Sequence, residues 1–372
     1  MHVVATAGHV DHGKSAVLEA LTGMEPDRAG ADRRHGVDGD LSWLTLPSGA
    51  QAVFVDVPTH DRFIATLLTG AGPAPAVMFI VAADQGWMPQ SAEHLAVVTA
   101  LGIRRALLVV TRCDLADPAP VLADATARIA RGTHCDVAAV AVSSVTRAGV
   151  HELVVALDQL CARRPAFGPV EPVRIWIDRS LGMSGASAVI TGTLPAGTVH
   201  KDDELLVTPA MRPVRVRELH SLGGHADAVT GTARVALNLH GVGRDALRRG
   251  MALVQPGRWT LTDVIDVRIG PVLPPPAGDD ACAAGQGGTD TATLGLLSRS
   301  FALHVGSARV IARMRPLGPG LARLSLADPL PLHVGDRVLL RDPGARRAES
   351  WPAVAGAIVL DVAPPPVSRR GA

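Results

Sequence analysis

Residues 8–15 read Gly-His-Val-Asp-His-Gly-Lys-Ser and satisfy the phosphate-loop pattern G-x-x-x-x-G-K-[ST] at every fixed position. No other stretch constrains the fold as much, because the pattern works only between a strand and a helix. Val3-Val4-Ala5 before it reads as a buried strand, and Ala16–Leu21 after it as the first turns of a helix. Glycines let the backbone approach a phosphate, and amides at a helix N-terminus point at it. Gly8, His9, Val10, Asp11, His12 and Gly13 would form the cradle. Lys14 would reach the outer phosphates, and the Ser15 hydroxyl would ligate Mg²⁺.

The next 150 residues alternate strand and helix signals. Leu41–Leu46 and Ala52–Val57 read as strands joined by a Pro47-Ser48-Gly49 turn, and Ala76–Ala83, Arg105–Val110 and Val137–Val142 as further strands. Arg62–Thr69, Ser91–Leu101, Val121–Ala130 and His151–Leu160 read as helices. The pattern implies an α/β domain over 1–168, with a mostly parallel sheet and ligands beyond the carboxyl ends of its strands.

Three motifs fall at those ends. Asp56 is placed like the acidic residue that holds Mg²⁺ through water in phosphate-loop proteins, the alternative being a strand-end turn aspartate. In Thr111-Arg112-Cys113-Asp114, the carboxylate can accept from N1 and N2 of guanine, which adenine does not offer. Ser143-Ser144 closes the next strand, where a backbone N–H can meet guanine O6. In this order behind a phosphate loop, they point to GTP and GDP rather than ATP.

Beyond a proline-containing linker, Pro165–Pro172, the pattern changes. Six short runs between Val173 and Gln255 alternate like an antiparallel barrel over 169–258. A second strand-rich stretch, with runs from Asp263 to Val362 and a Gly/Ala-rich loop over Ala277–Asp290, gives a second barrel over 259–363. Residues 364–372 form a tail.

The residues Ala5–Lys14, Asp56-Val57-Pro58 with His60, Ala83–Leu95 and Thr111-x-x-Asp114 resemble those of the translational GTPases, most closely the selenocysteine-specific elongation factors. The likeness runs from residue 1 to about 360. It implies GTP hydrolysis with His60 positioning the attacking water, selenocysteyl-tRNA as cargo, the ribosome as partner and a monomer in the cytoplasm. It also implies an aminoacyl pocket in the first barrel at Asp178, Arg179 and Arg234, where guanidinium groups favour an ionised selenol over neutral serine. Arg112 stands where the family has a lysine packing along the purine, and can stack similarly. The family also has winged-helix domains that grip an mRNA hairpin; nothing in this sequence resembles them.

Two departures affect the switches. Thr59 replaces a glycine whose N–H meets the γ-phosphate, and its Cβ stiffens a segment that must swing. Asp38 stands where the family has a threonine on Mg²⁺; a carboxylate can ligate the ion, yet lies beside a negatively charged phosphate. Two readings therefore remain open: a working elongation factor, or a switch-impaired guanine-nucleotide-binding paralogue acting as regulator or scaffold with little hydrolysis.

Composition narrows the rest. Lys plus Arg, 36, nearly balances Asp plus Glu, 35, so no net field recruits nucleic acid. With five Trp, five Phe and no Tyr, stacking platforms for single-stranded RNA are not expected. No apolar run is long enough for a membrane span, and the first residues read as a strand, not a signal peptide. Cys113, Cys135, Cys161 and Cys282 form no C-x-x-C pair, which suits reduced thiols and no zinc site.

Overall fold

The computed structural model describes residues 2–24, 41–55, 68, 76–162, 171–182, 187–273, 300–341 and 354–366. Asp38, Asp56, Thr59 and His60 lie outside the described residues. So do most of the Arg62–Thr69 helix, the Ala277–Asp290 loop and the Thr291–Leu297 run.

The first domain is a six-stranded sheet in the order β2-β3-β1-β4-β5-β6. Its strands are β1 (His2–Ala7), β2 (Leu41–Thr45), β3 (Gln51–Val55), β4 (Ala76–Ala82), β5 (Arg105–Thr111) and β6 (Ala138–Ala141). Only β2 runs antiparallel, through its turn to β3. β4 is buried at every position, as a central parallel strand covered on both faces must be. Helices α1 (Lys14–Thr22) and α4 (Val150–Ala162) cover one face, where Val17, Leu18, Leu153 and Leu157 share a core with Met78 and Ile80. α2 (Pro89–Ala100) and α3 (Ala119–Thr133) cover the other, with Leu95, Val98, Ala125 and Ile129 packed on Phe79 and Val81.

Two closed antiparallel barrels of six strands follow. The first comprises β7 (Arg174–Gly182), β8 (Ser187–Leu194), β10 (Glu204–Val207), β11 (Arg212–Ser221), β14 (Ala233–His240) and β15 (Ala252–Val254). Pairing of β10 with both β15 and β11 closes it. A ribbon of β9 (Thr198–His200) with β13 (Ala228–Thr230), and the two-residue β12 (Gly224–His225) on β11, are additions absent from the sequence expectation. The second barrel is β16 (Leu261–Leu273), β19 (Leu321–Pro331), β18 (Ala308–Gly318), β17 (Ser300–Val305), β20 (Arg337–Arg341) and β21 (Val354–Asp361), in that spatial order.

The three bodies touch one another. Trp176 of β7 is buried in the core of the second barrel, where Gly306 leaves room for its indole. Ser307 donates to the Ile177 carbonyl at 2.7 Å, and Arg174 pairs with Asp336 at 2.6 Å. The His304–Ser307 turn thus faces the first barrel. Across the other seam, Leu339 of β20 belongs to the core of the first domain, and Arg337 donates to the Leu101 carbonyl. Gly356 abuts the Ala100 carbonyl so closely that any Cβ would overlap it. Trp43 of β2 rests against Gly223 in the turn between β11 and β12.

Candidate functional site

The phosphate loop leaves β1 at Ala7 and enters α1 at Lys14. Gly8 has φ 131° and lies against the Ile80 backbone, where a Cβ would collide with the carbonyl. Only glycine fits there. Gly13 caps α1 with φ 79° and no side-chain bond, and the first turn carries no acid. The positive end of the helix thus has neither a capping side chain nor a carboxylate from its own first turn, which suits an anion. Lys14 donates to the His9 carbonyl at 2.6 Å and lies 3.4 Å from that of Gly8. Ser15, the second residue of α1, is half-buried beside it.

Other elements hold the loop's shape. The Gly8 N–H donates to His94 Nδ1 at 3.0 Å and the Val10 N–H to Gln90 Oε1 at 2.9 Å, both on α2. Thr111 donates to the His12 carbonyl at 2.8 Å. The Arg112 guanidinium donates to the neighbouring Asp11 carbonyl and forks onto both oxygens of Asp84, at 2.9 and 3.2 Å. Two consecutive residues at the end of β5, Thr111 and Arg112, therefore grip two consecutive carbonyls of the phosphate loop. Sequence reasoning gave Thr111 a place in the site but missed Gln90, His94 and Asp84. The Ala83–Leu95 stretch contains all three, yet nothing in it specifies a partner about 30 to 90 positions away.

His12 is buried, and burial lowers its pKa from 6.5 to about 4, against the opposing hydrogen bond to the Ile80 carbonyl and aided by the nearby Lys14 and Arg112 cations. Its Nδ1–H faces the Ile80 carbonyl at 3.4 Å. It is a neutral structural member of the loop.

Asp114 lies exposed in the turn after β5. Ser143 is buried, accepts from the Thr146 N–H at 3.1 Å, and donates its own N–H to the Ala148 carbonyl at 3.0 Å. Of the two serine amides at this strand end, that of Ser143 is therefore engaged within the protein. The structure thus brings Gly8–Ser15, Thr111 and Arg112 into direct contact, with Asp114 two residues further along the same turn. Ser143–Ser144 lies alongside, through Cys113 N–H to the Val142 carbonyl at 3.5 Å.

For Mg²⁺, the one expected donor among the described residues is Ser15. A single hydroxyl fits an ion that takes most of its oxygens from phosphates and water. Among the described residues, no cluster of three His, Cys, Asp or Glu could hold a metal by itself.

The second expected site lies on the first barrel. Asp178 sits at a bulge between β7 and β8, and Arg234 on β14 pairs opposite Thr193. The Arg234 guanidinium contacts the Asp178 carboxylate and lies 3.3 Å from Thr193 Oγ1. Both charged side chains are largely buried, at 12 and 14 % exposure, so each neutralises the other. Arg179 is next in the strand.

Residues 1–163 match the family model described as the elongation factor Tu GTP-binding domain. Residues 296–366 match that of the selenocysteine-specific elongation factor β-barrel domain. The selenocysteine-specific elongation factor of Escherichia coli K12 is 32% identical over 374 residues, covering 99% of this chain and 56% of that protein. The chain thus spans about half the length of this curated relative. The crystal structure of a bacterial selenocysteine-specific elongation factor superposes with a TM-score of 0.78 at 24% identity, over 96% of this chain and 58% of that one. Elongation factor SelB from Methanococcus maripaludis, in complex with the GTP analogue GppNHp, gives 0.78 at 20%, over 98% and 79%.

Proposed function

We propose, from the premise that this chain is a homologue of the selenocysteine-specific elongation factors along nearly its whole length, that it is a GTP-dependent carrier of selenocysteyl-tRNA to the ribosome. The observation that best supports the nucleotide reading is the double grip of Thr111 and Arg112 on the His12 and Asp11 carbonyls. That grip ties the guanine-reading turn to the phosphate cradle.

In this reading, amides of residues 11–15 and the Lys14 ammonium bind the phosphates, and Asp114 selects guanine. Ser15, Asp56 and Asp38 hold Mg²⁺, whose charge offsets that of the outer phosphates. His60 orients the attacking water. Asp178, Arg179 and Arg234 favour the anionic selenol of the aminoacyl group. The setting is cytoplasmic, and no described helix is long and apolar enough to cross a membrane.

Thr59 and Asp38 favour a second reading, a guanine-nucleotide-binding protein with little hydrolysis. The deciding experiment is binding of GTP, GDP and ATP by calorimetry, followed by GTP turnover with and without ribosomes. Guanine-selective binding with ribosome-stimulated turnover is expected of a carrier. Binding without turnover selects the second reading. An Asp114→Asn variant should lose its preference for guanine over adenine by roughly a hundredfold, since two charge-assisted hydrogen bonds go. An unchanged preference would remove Asp114 from the site.

A further inference from the structure

Asp84 enters the site described so far only as the ion-pair partner of Arg112. It lies just past the end of β4, in the turn that follows Ala83, whose N–H donates to the Thr111 carbonyl at 2.9 Å. The parallel register of β4 and β5, with Ala82 opposite Thr111, brings the turns after both strands side by side. Asp84 therefore faces Arg112, and its two oxygens take the same guanidinium nitrogen at 2.9 and 3.2 Å. The second terminal nitrogen goes to the Asp11 carbonyl. Three acceptors from two separate loops fix the guanidinium plane, which a single acceptor would leave free to rotate. Arg112 itself has φ 58°, a left-handed conformation that side chains other than glycine adopt only when held. The turn that carries Asp114 begins at this residue.

We propose that Asp84 is a positioning residue for guanine recognition. It holds the Arg112 guanidinium flat against the phosphate loop, and through Arg112 it fixes the turn that presents Asp114 to the base. The inference rests on the guanine-nucleotide reading above. A planar cation pinned at both ends offers one face for a purine to stack on, whereas an ammonium in its place would offer a point charge.

The test is a double-mutant cycle on the full chain: wild type, Asp84→Ala, Arg112→Ala and the double variant. Calorimetry gives the dissociation constant for GDP, and thermal unfolding of the nucleotide-free protein controls for structural damage. Asp84→Ala should weaken GDP binding about tenfold, because the pinned fork loses its charged partner. The same change in the Arg112→Ala background should add less than about twofold, with unfolding temperatures unchanged. Asp84→Asn, which keeps an acceptor but no charge, should weaken binding by roughly threefold and serves if the alanine variant does not fold. A change in GDP affinity under about twofold, or full additivity with Arg112→Ala, overturns the proposal. If the wild type fails to prefer GDP over ADP, the guanine reading itself falls and takes this one with it. If it prefers GDP while the cycle is additive, only the role of Asp84 falls.

Discussion

A neutral imidazole under the phosphate loop ties the protein's stability to pH. His12 titrates at about 4 in the folded chain and at 6.5 when exposed, because burial disfavours its charged form. Between those values the unfolded chain binds the extra proton. The loop's contribution is therefore complete above pH 6.5 and is lost as pH falls toward 4. Denaturant midpoints measured from pH 7.5 down to 4.5 should fall more steeply for wild type than for His12→Gln. Parallel slopes would mean that another group carries the acid sensitivity. This residue also marks a limit of reading sequence: the pattern places His12 in the loop, but its neutrality follows from burial, which outweighs the opposing hydrogen bond to the Ile80 carbonyl.

At the scale of elements, α2 has two faces with different duties. Gln90 and His94 hold two amides of the phosphate loop, while Ala100 and the Leu101 carbonyl meet the second barrel at Gly356 and Arg337. Glu93, one position before His94, is half-buried; burial raises its pKa from 4.5 to about 7, against the opposing pull of Arg341. A raised carboxyl favours the fold at low pH, and that contribution is lost as pH climbs from 4.5 through 7. Glu93→Gln should raise the melting temperature at pH 8 and leave it nearly unchanged at pH 5; equal effects at both would sink the assignment. Gly356→Ala should destabilise by about 1–3 kcal/mol through overlap with the Ala100 carbonyl, read by denaturant unfolding. The helix itself was legible from its apolar spacing, as were the strands of both barrels, because period and turn residues are local signals. The β9–β13 ribbon was not, since three-residue strands carry no period. Nor were the partners of Gln90, His94 and Asp84, which only the sheet register brings into range.

At the scale of the whole molecule, the barrels are clasped rather than tethered. Trp176 fills the neighbouring core, and Arg174 lies over the Trp259 ring at 4.4 Å while pairing with Asp336, at 12 and 15 % exposure. Removing one member leaves a buried charge unanswered, a loss of about 3–5 kcal/mol. Arg174→Ala and Trp176→Ala should therefore split a single calorimetric transition of the two barrels into two. A transition that stays single and merely shifts would mean the clasp contributes stability without coupling the barrels. The same architecture sets an order of events during translation of the chain's own message. The first domain is made first but completes its core only with Leu339, which leaves the ribosome roughly ten to thirty seconds after α4 at ordinary rates of synthesis. Through that interval, the nascent chain displays unfinished apolar surface on its earliest domain. The part synthesised first thus waits for a residue near the far end of the chain, and any chaperone that meets nascent chains would have most to cover there.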